Sequence, residues 1–185
     1  MLRIISGKYG GRIIETPDGK KTRPTTNRTR EAVFNSLCSN FSDNMTLEGA
    51  IVLDMFAGSG ALGFEALSRS AKFVTFCDKS PKAISIIKKN AKTLNVESDR
   101  FEVVCIDSLK PKTYNPKPNL IFADPPYAFS TKKLKLVFDD MLTQGMIATP
   151  ALIYYEHAEE ADLSCFTEKY ELIYRKRCAD IFRVC

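Results

Sequence analysis

The residues best placed for chemistry are four aspartates, each at the end of a short apolar segment: Asp54, Asp78, Asp107 and Asp124. Apolar runs of this length predict buried strands. The segments between them have helical patterns, so the alternation predicts an α/β protein with a parallel sheet covered on both faces. Ligands bind beyond the carboxyl ends of the strands in such a sheet. We therefore predict that the four carboxylates face one cleft.

The first aspartate precedes a glycine-rich segment, Gly58-Ser59-Gly60-Ala61-Leu62-Gly63. A strand, a glycine loop and a helix start form a nucleotide-binding corner in α/β sheets. The segment matches the dinucleotide pattern G-x-G-x-x-G, which is a weak signal by itself and also occurs in turns without a ligand. Asp54 favours a different ligand, because a carboxylate repels a pyrophosphate and suits an ammonium group. We predict S-adenosylmethionine, which has an ammonium and a sulfonium but no phosphate.

Two further aspartates have positions that suit the adenosine part of such a ligand. Asp78 lies 18 residues beyond Gly60, close to the spacing at which an acidic residue binds ribose hydroxyls. Asp107, at the end of the next strand, is placed to accept a hydrogen bond from an adenine amino group. Aspartate is also a common turn residue, so the prediction depends on its recurrence at successive strand ends.

The most specific motif is Asp124-Pro125-Pro126-Tyr127, directly after the fourth predicted strand. Proline has a fixed φ and no N–H, so two prolines stiffen the strand exit and leave carbonyls as acceptors. An Asp124 oxygen and the Pro125 carbonyl form an acceptor pair for an exocyclic amine. The Tyr127 ring offers a face on which a base can stack. We predict that these four residues are catalytic; a rigid strand exit without chemistry is the alternative.

The N-terminal part of the chain carries most of the positive charge. Residues 1–30 contain eight Arg or Lys and two acidic residues, a balance of +6, whereas the whole chain has a net charge of +5. A basic segment on a near-neutral body favours a nucleic-acid partner over a merely solvated surface. Residues 2–6 and 12–16 flank a glycine-rich turn, which predicts a β-hairpin. The predicted RNA-binding residues are Arg3, Lys8, Arg12, Arg23, Arg28 and Arg30.

Composition excludes several other classes of protein. With 185 residues, 44% hydrophobic and 26% charged, the chain is typical of one soluble domain. It has no apolar run of membrane-spanning length and no signal-peptide pattern at residues 1–7, so we expect a cytoplasmic protein without a membrane partner. One histidine and the absence of a C-x-x-C pair argue against a metal site.

These motifs carry a family resemblance. Asp54 to Gly60, Asp78 and Asp124-Pro125-Pro126-Tyr127 resemble class I S-adenosylmethionine-dependent methyltransferases that act on exocyclic amines. The N-terminal part resembles the RsmD family in Arg3-Ile4-Ile5-Ser6-Gly7, Gly11-Arg12, Arg23-Pro24-Thr25-Thr26, Arg28, Arg30-Glu31 and Phe34-Asn35. The resemblance implies methylation of guanine N2 in bacterial small-subunit (16S) ribosomal RNA. It also implies a Rossmann-like, seven-stranded sheet of order 3-2-1-4-5-7-6 with strand 7 antiparallel.

The complete prediction has two regions, a basic RNA-binding extension at residues 1–25 and a methyltransferase domain at residues 26–185. The partner is ribosomal RNA or the assembling small subunit, and the chain is expected to be a monomer. The predicted cofactor-binding residues are Asp54, Phe56, Ala57, Gly58, Gly60, Asp78, Lys79, Asp107 and Ser108. The alternatives are a DNA adenine-N6 methyltransferase, which shares the Asp-Pro-Pro-Tyr element, a nicotinamide-dependent oxidoreductase, and a binding module without catalysis.

Overall fold

The computed structural model describes residues 2–17, 27–40, 47–126 and 129–185. The strands are β1 Leu2–Arg3, β2 Ile13–Ile14, β3 Ile51–Asp54, β4 Phe73–Asp78, β5 Phe101–Cys105, β6 Leu120–Ala123, β7 Ala151–Glu156, β8 Glu171–Lys176 and β9 Ala179–Val184. The helices are α1 Asn27–Asn40, α2 Ala61–Ser68, α3 Pro81–Leu94 and α4 Thr131–Thr143. Of the predicted site residues, Arg23 and Tyr127 lie outside the described residues, as does the side chain of Arg28.

The large sheet has seven strands in the order β5-β4-β3-β6-β7-β9-β8. The pairs from β5 to β7 are parallel, and β9 runs antiparallel to both of its neighbours. Counted from β3 as the first strand, this is the order 3-2-1-4-5-7-6 with the seventh strand antiparallel. The predicted fold class and strand order are therefore confirmed.

Helices cover both faces of the sheet, as the alternating pattern predicts. Successive residues of a strand point to opposite faces, so Val52 and Leu53 of β3 enter different cores. Val52 lies in the core that contains α2, α3 and part of α1. Leu53 lies in the other core, which contains Phe138 of α4. The continuous burial of central strands such as β7 follows from this two-sided packing.

Helix α3 follows β4, as the alternation of strands and helices predicts, and begins with a side-chain cap. The Ser80 side chain accepts a hydrogen bond from Ala83 N at 3.4 Å, and Pro81 is the first helical residue. Ile84 is only partly covered. Asn90 lies on the buried face and is 1% exposed.

The N-terminal hairpin is shorter than predicted because its backbone binds helix α2. Only two residues of each strand pair. Ile5 N and Ser6 N donate instead to the carboxylate of Glu65, at 2.7 and 3.1 Å. Ile4 and Ile14 are fully buried in the same core as α2 and α3. The hairpin is thus packed against the helices that follow β3 and β4. The division of the chain at residues 25 and 26 stays a prediction.

Candidate active site

The sheet order brings the four strand-end aspartates to one edge. Adjacent strands β5, β4, β3 and β6 are parallel, so their carboxyl ends lie side by side. Asp107 follows β5 after one further residue, Asp78 and Asp54 are the last residues of β4 and β3, and Asp124 follows β6 directly. Along the edge the order is Asp107, Asp78, Asp54 and Asp124. A ligand lying across the edge would contact them in that sequence.

The loop between β3 and α2 is held by neighbouring strands. Met55 N donates to Phe122 O of β6, and Ala57 N donates to Cys77 O of β4, both at 2.9 Å. Gly58 N donates to Asp78 Oδ2 at 2.9 Å. These bonds fix the loop at the centre of the carboxyl edge. A fixed loop presents its backbone to a ligand with little cost of ordering.

The glycines of this loop have two different roles. Gly58 has φ +54°, and a Cβ built there would meet only Phe56 O at 3.9 Å, so this position faces open space. Gly60 has φ +80°, and a Cβ there would lie 2.6 Å from the Phe64 ring. Gly63 lies even closer to its neighbours, with a built Cβ 2.3 Å from the Phe76 ring. Gly58 therefore leaves room for a ligand, whereas Gly60 and Gly63 permit close packing of α2 on β4.

Asp54 is a buried carboxylate beneath this loop. It is 2% exposed, and its Oδ2 accepts a hydrogen bond from Gly63 N at 3.1 Å. Burial raises the pKa of Asp54 to about 7, the Gly63 N–H opposes this rise, and the neighbouring charge of Asp78 adds to it. Such a group gains from a cationic ligand, because an opposite charge favours its ionised form.

Asp78 organises the end of β4. Its Oδ2 accepts from Gly58 N at 2.9 Å and its Oδ1 accepts from Ser80 N at 2.8 Å. A carboxylate has about four acceptor positions, so two remain for ligand hydroxyls. The Asp78 side chain is half-buried, whereas Lys79 is exposed. The arrangement fits a ribose on the open side of Asp78.

The end of β5 contributes one exposed and one buried residue. Asp107 is exposed, and its Oδ1 accepts from Leu109 N at 3.1 Å. Ser108 is 5% exposed, and its hydroxyl donates to Met55 O in the loop after β3. A ligand that approaches from solvent can therefore contact Asp107. Ser108 connects the loop after β5 to the loop after β3.

The residues after β6 form the other side of the site. Asp124 is half-buried, Pro125 is buried and Pro126 is exposed, with Pro126 O accepting from Phe129 N at 2.9 Å. The Phe129 ring packs edge-on against Phe56, with ring centres 5.6 Å apart. This contact joins the loop after β6 to the loop after β3, where Ala57 is buried and Phe56 half-buried. The two loops thus position Asp124 beside the glycine loop.

The basic residues of the N-terminal part differ in accessibility. Arg3, Lys8 and Arg12 are exposed. Lys8 forms a 2.6 Å salt bridge with Glu97, and the Arg12 guanidinium donates to the Leu94 carbonyl at 2.7 Å. Arg3 Nη1 donates to Gly11 O within the hairpin at 2.8 Å, so all three side chains stabilise the hairpin while leaving charge at the surface.

Arg30 has a different environment. It is 1% exposed, and its Nη2 donates to Arg3 O at 2.8 Å. Burial lowers the pKa of Arg30, and the charge of Glu65 opposes that change. A guanidinium enclosed in the core does not reach an RNA phosphate at the surface. We therefore do not include Arg30 among the RNA contacts proposed below, although the sequence analysis predicts it as one.

A separate polar cluster lies at the carboxyl end of β7. His157 Nε2 is 3.9 Å from Asp180 Oδ1, and Arg175 binds Asp180 through Nη2 at 2.9 Å. Burial lowers the pKa of His157, but the Asp180 carboxylate and the Ala158 carbonyl outweigh it, so the net shift is upward. A cavity of about 460 Å³ adjoins the cluster. These charges hold β7, β8 and β9 together.

Two polar residues that the sequence analysis did not single out connect the site to the hairpin. Glu65 is fully buried in α2 and binds Ile5 N, Ser6 N and Arg69 Nε. Asn90 binds the backbone of Glu15 and Ser59. A signal was present in both cases, because each polar residue interrupts the apolar face of a helix.

Neither a metal centre nor a membrane span is found in the part of the chain that the structure describes. No three His, Cys, Asp or Glu side chains there are grouped so that they could hold a metal ion. None of the described helices combines the length and hydrophobicity needed to cross a bilayer.

Known proteins match both the sequence and the structure. The family model described as "Conserved hypothetical protein 95" matches residues 2–183. Ribosomal RNA small subunit methyltransferase D of Haemophilus influenzae is 34% identical over 165 residues, which are 88% of this chain and 81% of that protein. The Escherichia coli K12 protein of the same name is 36% identical over 171 residues, 92% of this chain and 82% of that protein.

A solved structure of Escherichia coli yhhF, described as a methyltransferase, has a TM-score of 0.82 and 33% identity, covering 99% of this chain and 97% of that chain. With the sheet order and the glycine loop at its carboxyl edge, this likeness defines a class I methyltransferase fold. The sequence matches cover almost the whole chain and identify the family as well as the fold. The chain belongs to the RsmD family. The predicted family is thereby confirmed.

Proposed function

We propose that this methyltransferase transfers a methyl group from S-adenosylmethionine to the exocyclic N2 of a guanine in small-subunit ribosomal RNA. The observation that carries the proposal is the row of aspartates at the carboxyl edge, with Asp124-Pro125 beside the glycine loop. The relatives named ribosomal RNA small subunit methyltransferase D support the RNA substrate. The choice of guanine N2 follows from the family resemblance of the motifs.

The cofactor side of the proposed site has acceptors that suit S-adenosylmethionine. Asp54 pairs with the ammonium group, because a buried carboxylate favours a cationic partner. The two remaining acceptor positions of Asp78 receive the ribose hydroxyls. Asp107 is exposed at the adenine end. When bound, S-adenosylmethionine supplies a methyl group activated by a sulfonium, which leaves as a neutral thioether.

The substrate side begins at Asp124. The lone pair of guanine N2 is delocalised into the ring, so this amine is a poor nucleophile. Hydrogen bonds to Asp124 and the Pro125 carbonyl favour a pyramidal nitrogen with its lone pair directed at the methyl group. The charge of Asp124 also stabilises the positive charge that develops on the nitrogen. The base must leave its stack to reach this position.

Surface charge on the hairpin would hold the RNA backbone. Arg3, Lys8 and Arg12 are exposed on a segment that is fastened to α2 and α3. Phosphate contacts made by such residues contribute affinity without reading sequence. We propose Arg3, Lys8 and Arg12 as RNA contacts, together with Arg23 and Arg28.

The proposal is tested by incubating the purified protein with S-adenosylmethionine and unmethylated small ribosomal subunits, then analysing nucleosides by mass spectrometry. N2-methylguanosine is the expected product. Free 16S RNA and duplex DNA are assayed in parallel. N6-methyladenine in the DNA, with no modified guanosine in the RNA, would replace this proposal with the DNA methyltransferase alternative.

A matched pair of variants tests the role of Asp124. Asp124→Asn retains the size and one acceptor oxygen but removes the charge. We expect a loss of roughly a hundredfold or more in single-turnover rate, with cofactor affinity nearly unchanged. Asp99→Asn is the control, because Asp99 is an exposed aspartate before β5, at the opposite edge of the sheet. Methyl transfer by Asp124→Asn at the wild-type rate would contradict this mechanism.

A further inference from the structure

One buried amide contacts both the N-terminal hairpin and the loop after β3. Asn90 of α3 accepts a hydrogen bond from Glu15 N at 2.8 Å and donates to Glu15 O at 2.9 Å. The second N–H of the same amide donates to Ser59 O at 2.9 Å. Asn90 is 1% exposed. Its amide therefore joins two segments that are far apart in sequence.

The placement of this amide requires all three contacts. The remaining buried positions of α3 are Ala83, Ile87, Ala91 and Leu94. An amide on this apolar face costs free energy unless its donors and acceptor are bonded. Loss of either partner segment would leave part of the amide unpaired. Movement of Glu15 and movement of Ser59 are thus linked through Asn90.

The two segments have different roles in the proposed reaction. Ser59 lies between Gly58, which faces open space and is bonded to Asp78, and Gly60, which is the N-cap residue of α2. A fixed Ser59 carbonyl sets the peptide plane that precedes Gly60. Glu15 follows β2 of the hairpin, which carries the exposed Arg3 and Arg12 that we propose as RNA contacts. One contact therefore lies on the cofactor side and the other on the RNA side.

We propose that Asn90 is a positioning residue that couples RNA binding at the N-terminal segment to cofactor binding at the glycine loop. The proposal rests on the proposed function, since it needs both ligands. RNA bound at the hairpin stabilises the position of Glu15 and therefore of the Asn90 amide, and the amide then holds the Ser59 carbonyl in the geometry that receives the cofactor. Coupling of this kind is reciprocal, so the cofactor also tightens RNA binding by the same factor.

The test uses S-adenosylhomocysteine, the product that S-adenosylmethionine becomes when it has lost its methyl group, because it binds without reacting. Its affinity in radiolabelled form is measured by equilibrium dialysis, with and without saturating unmethylated small ribosomal subunits. We expect the subunits to tighten wild-type binding about threefold to tenfold, the range for one hydrogen bond. In Asn90→Ala the ratio of the two affinities should fall to about one. A purely structural role would lower both affinities and leave their ratio unchanged.

Ser68→Ala is the matched control. Ser68 Oγ accepts from Tyr9 N at 2.9 Å and donates to Ser6 O, so it fastens the same hairpin to α2. These two bonds involve the hairpin and not the glycine loop. This variant should therefore keep the wild-type ratio. A wild-type ratio of one, an unchanged ratio in Asn90→Ala, or an equal loss in Ser68→Ala would each overturn the proposal.

Hydrogen exchange of the wild-type protein provides a second test that does not depend on a stable variant. The Glu15 N–H donates to Asn90, and Asn90 donates to Ser59 in the glycine loop. Binding of S-adenosylhomocysteine should therefore slow hydrogen exchange at the Glu15 N–H in the absence of RNA. Unchanged exchange at Glu15 with the ligand bound would overturn the coupling. Failure of the proposed function looks different, because S-adenosylhomocysteine would then not bind or no methyl group would reach the RNA.

Discussion

The protonation of Asp54 should control the affinity for S-adenosylhomocysteine. Burial raises the pKa of this carboxyl to about 7, so it is mostly protonated at pH 5 to 6 in the free protein. An ammonium group binds the ionised form, and binding therefore releases a proton. Affinity should rise as pH increases toward 7 and become level above it.

The size of the effect follows from the ionised fraction. Well below a pKa of about 7, each pH unit increases the ionised fraction of Asp54 about tenfold. The dissociation constant should therefore fall about tenfold between pH 5 and pH 6, with a smaller decrease between pH 6 and pH 7. A side chain with its ordinary pKa of 3.8 would be fully ionised over this range and would give a flat profile.

Isothermal titration calorimetry from pH 5 to pH 8 measures this profile. Repeating the titrations in buffers of different ionisation enthalpy gives the number of protons released on binding. Asp54→Asn should bind more weakly at pH 8 and without the pH dependence. His157→Gln is the control for the single histidine of the chain, and it should keep the slope. A flat wild-type profile, or the same slope in Asp54→Asn, would refute the assignment of the ammonium to Asp54.

Three further results are expected. Asp78→Ala should weaken S-adenosylhomocysteine binding by about 1.5–3 kcal/mol through the loss of charged hydrogen-bond acceptors, and calorimetry giving wild-type affinity would remove Asp78 from the site. Glu65→Gln should lower the free energy of unfolding by about 2 kcal/mol, because two backbone amides and Arg69 lose a charged partner; an unchanged urea midpoint would contradict this. The raised pKa of His157 means that its stabilising effect is complete below pH 6.5 and is lost as pH rises through the raised value. The unfolding free energy of wild type, relative to His157→Gln, should therefore decline above pH 6.5, and a constant difference would exclude the ion pair with Asp180.

The sheet could be predicted from sequence because its signals are local. Short apolar strands and the helical patterns between them are both set by residues close together in the chain. The positions of the strand-end aspartates then follow from the general geometry of parallel sheets.

The hairpin itself could be predicted, but its packing on α2 and α3 could not, because its partners are distant in sequence. Ile5 binds Glu65 across 60 residues, and Glu15 binds Asn90 across 75. A glutamate or an asparagine on the apolar face of a helix indicates a buried polar contact, but it does not identify a partner that is distant in sequence. The burial of Arg30, which the sequence analysis predicts as an RNA contact, also depends on a distant partner, since its guanidinium donates to Arg3 O across 27 residues.

The packing of the hairpin on α2 and α3 also has a consequence for the order of synthesis. Residues 2–15 are made before either helix, and about 80 residues separate Glu15 from the end of α3 at Leu94. At about 5–20 residues per second, the interval is roughly 4–16 s. During it, Ile4 and Ile14 have no core to enter, since that core is formed with residues of α2 and α3. The hairpin is thus translated before both helices and folds only after the glycine loop and α3 have been made.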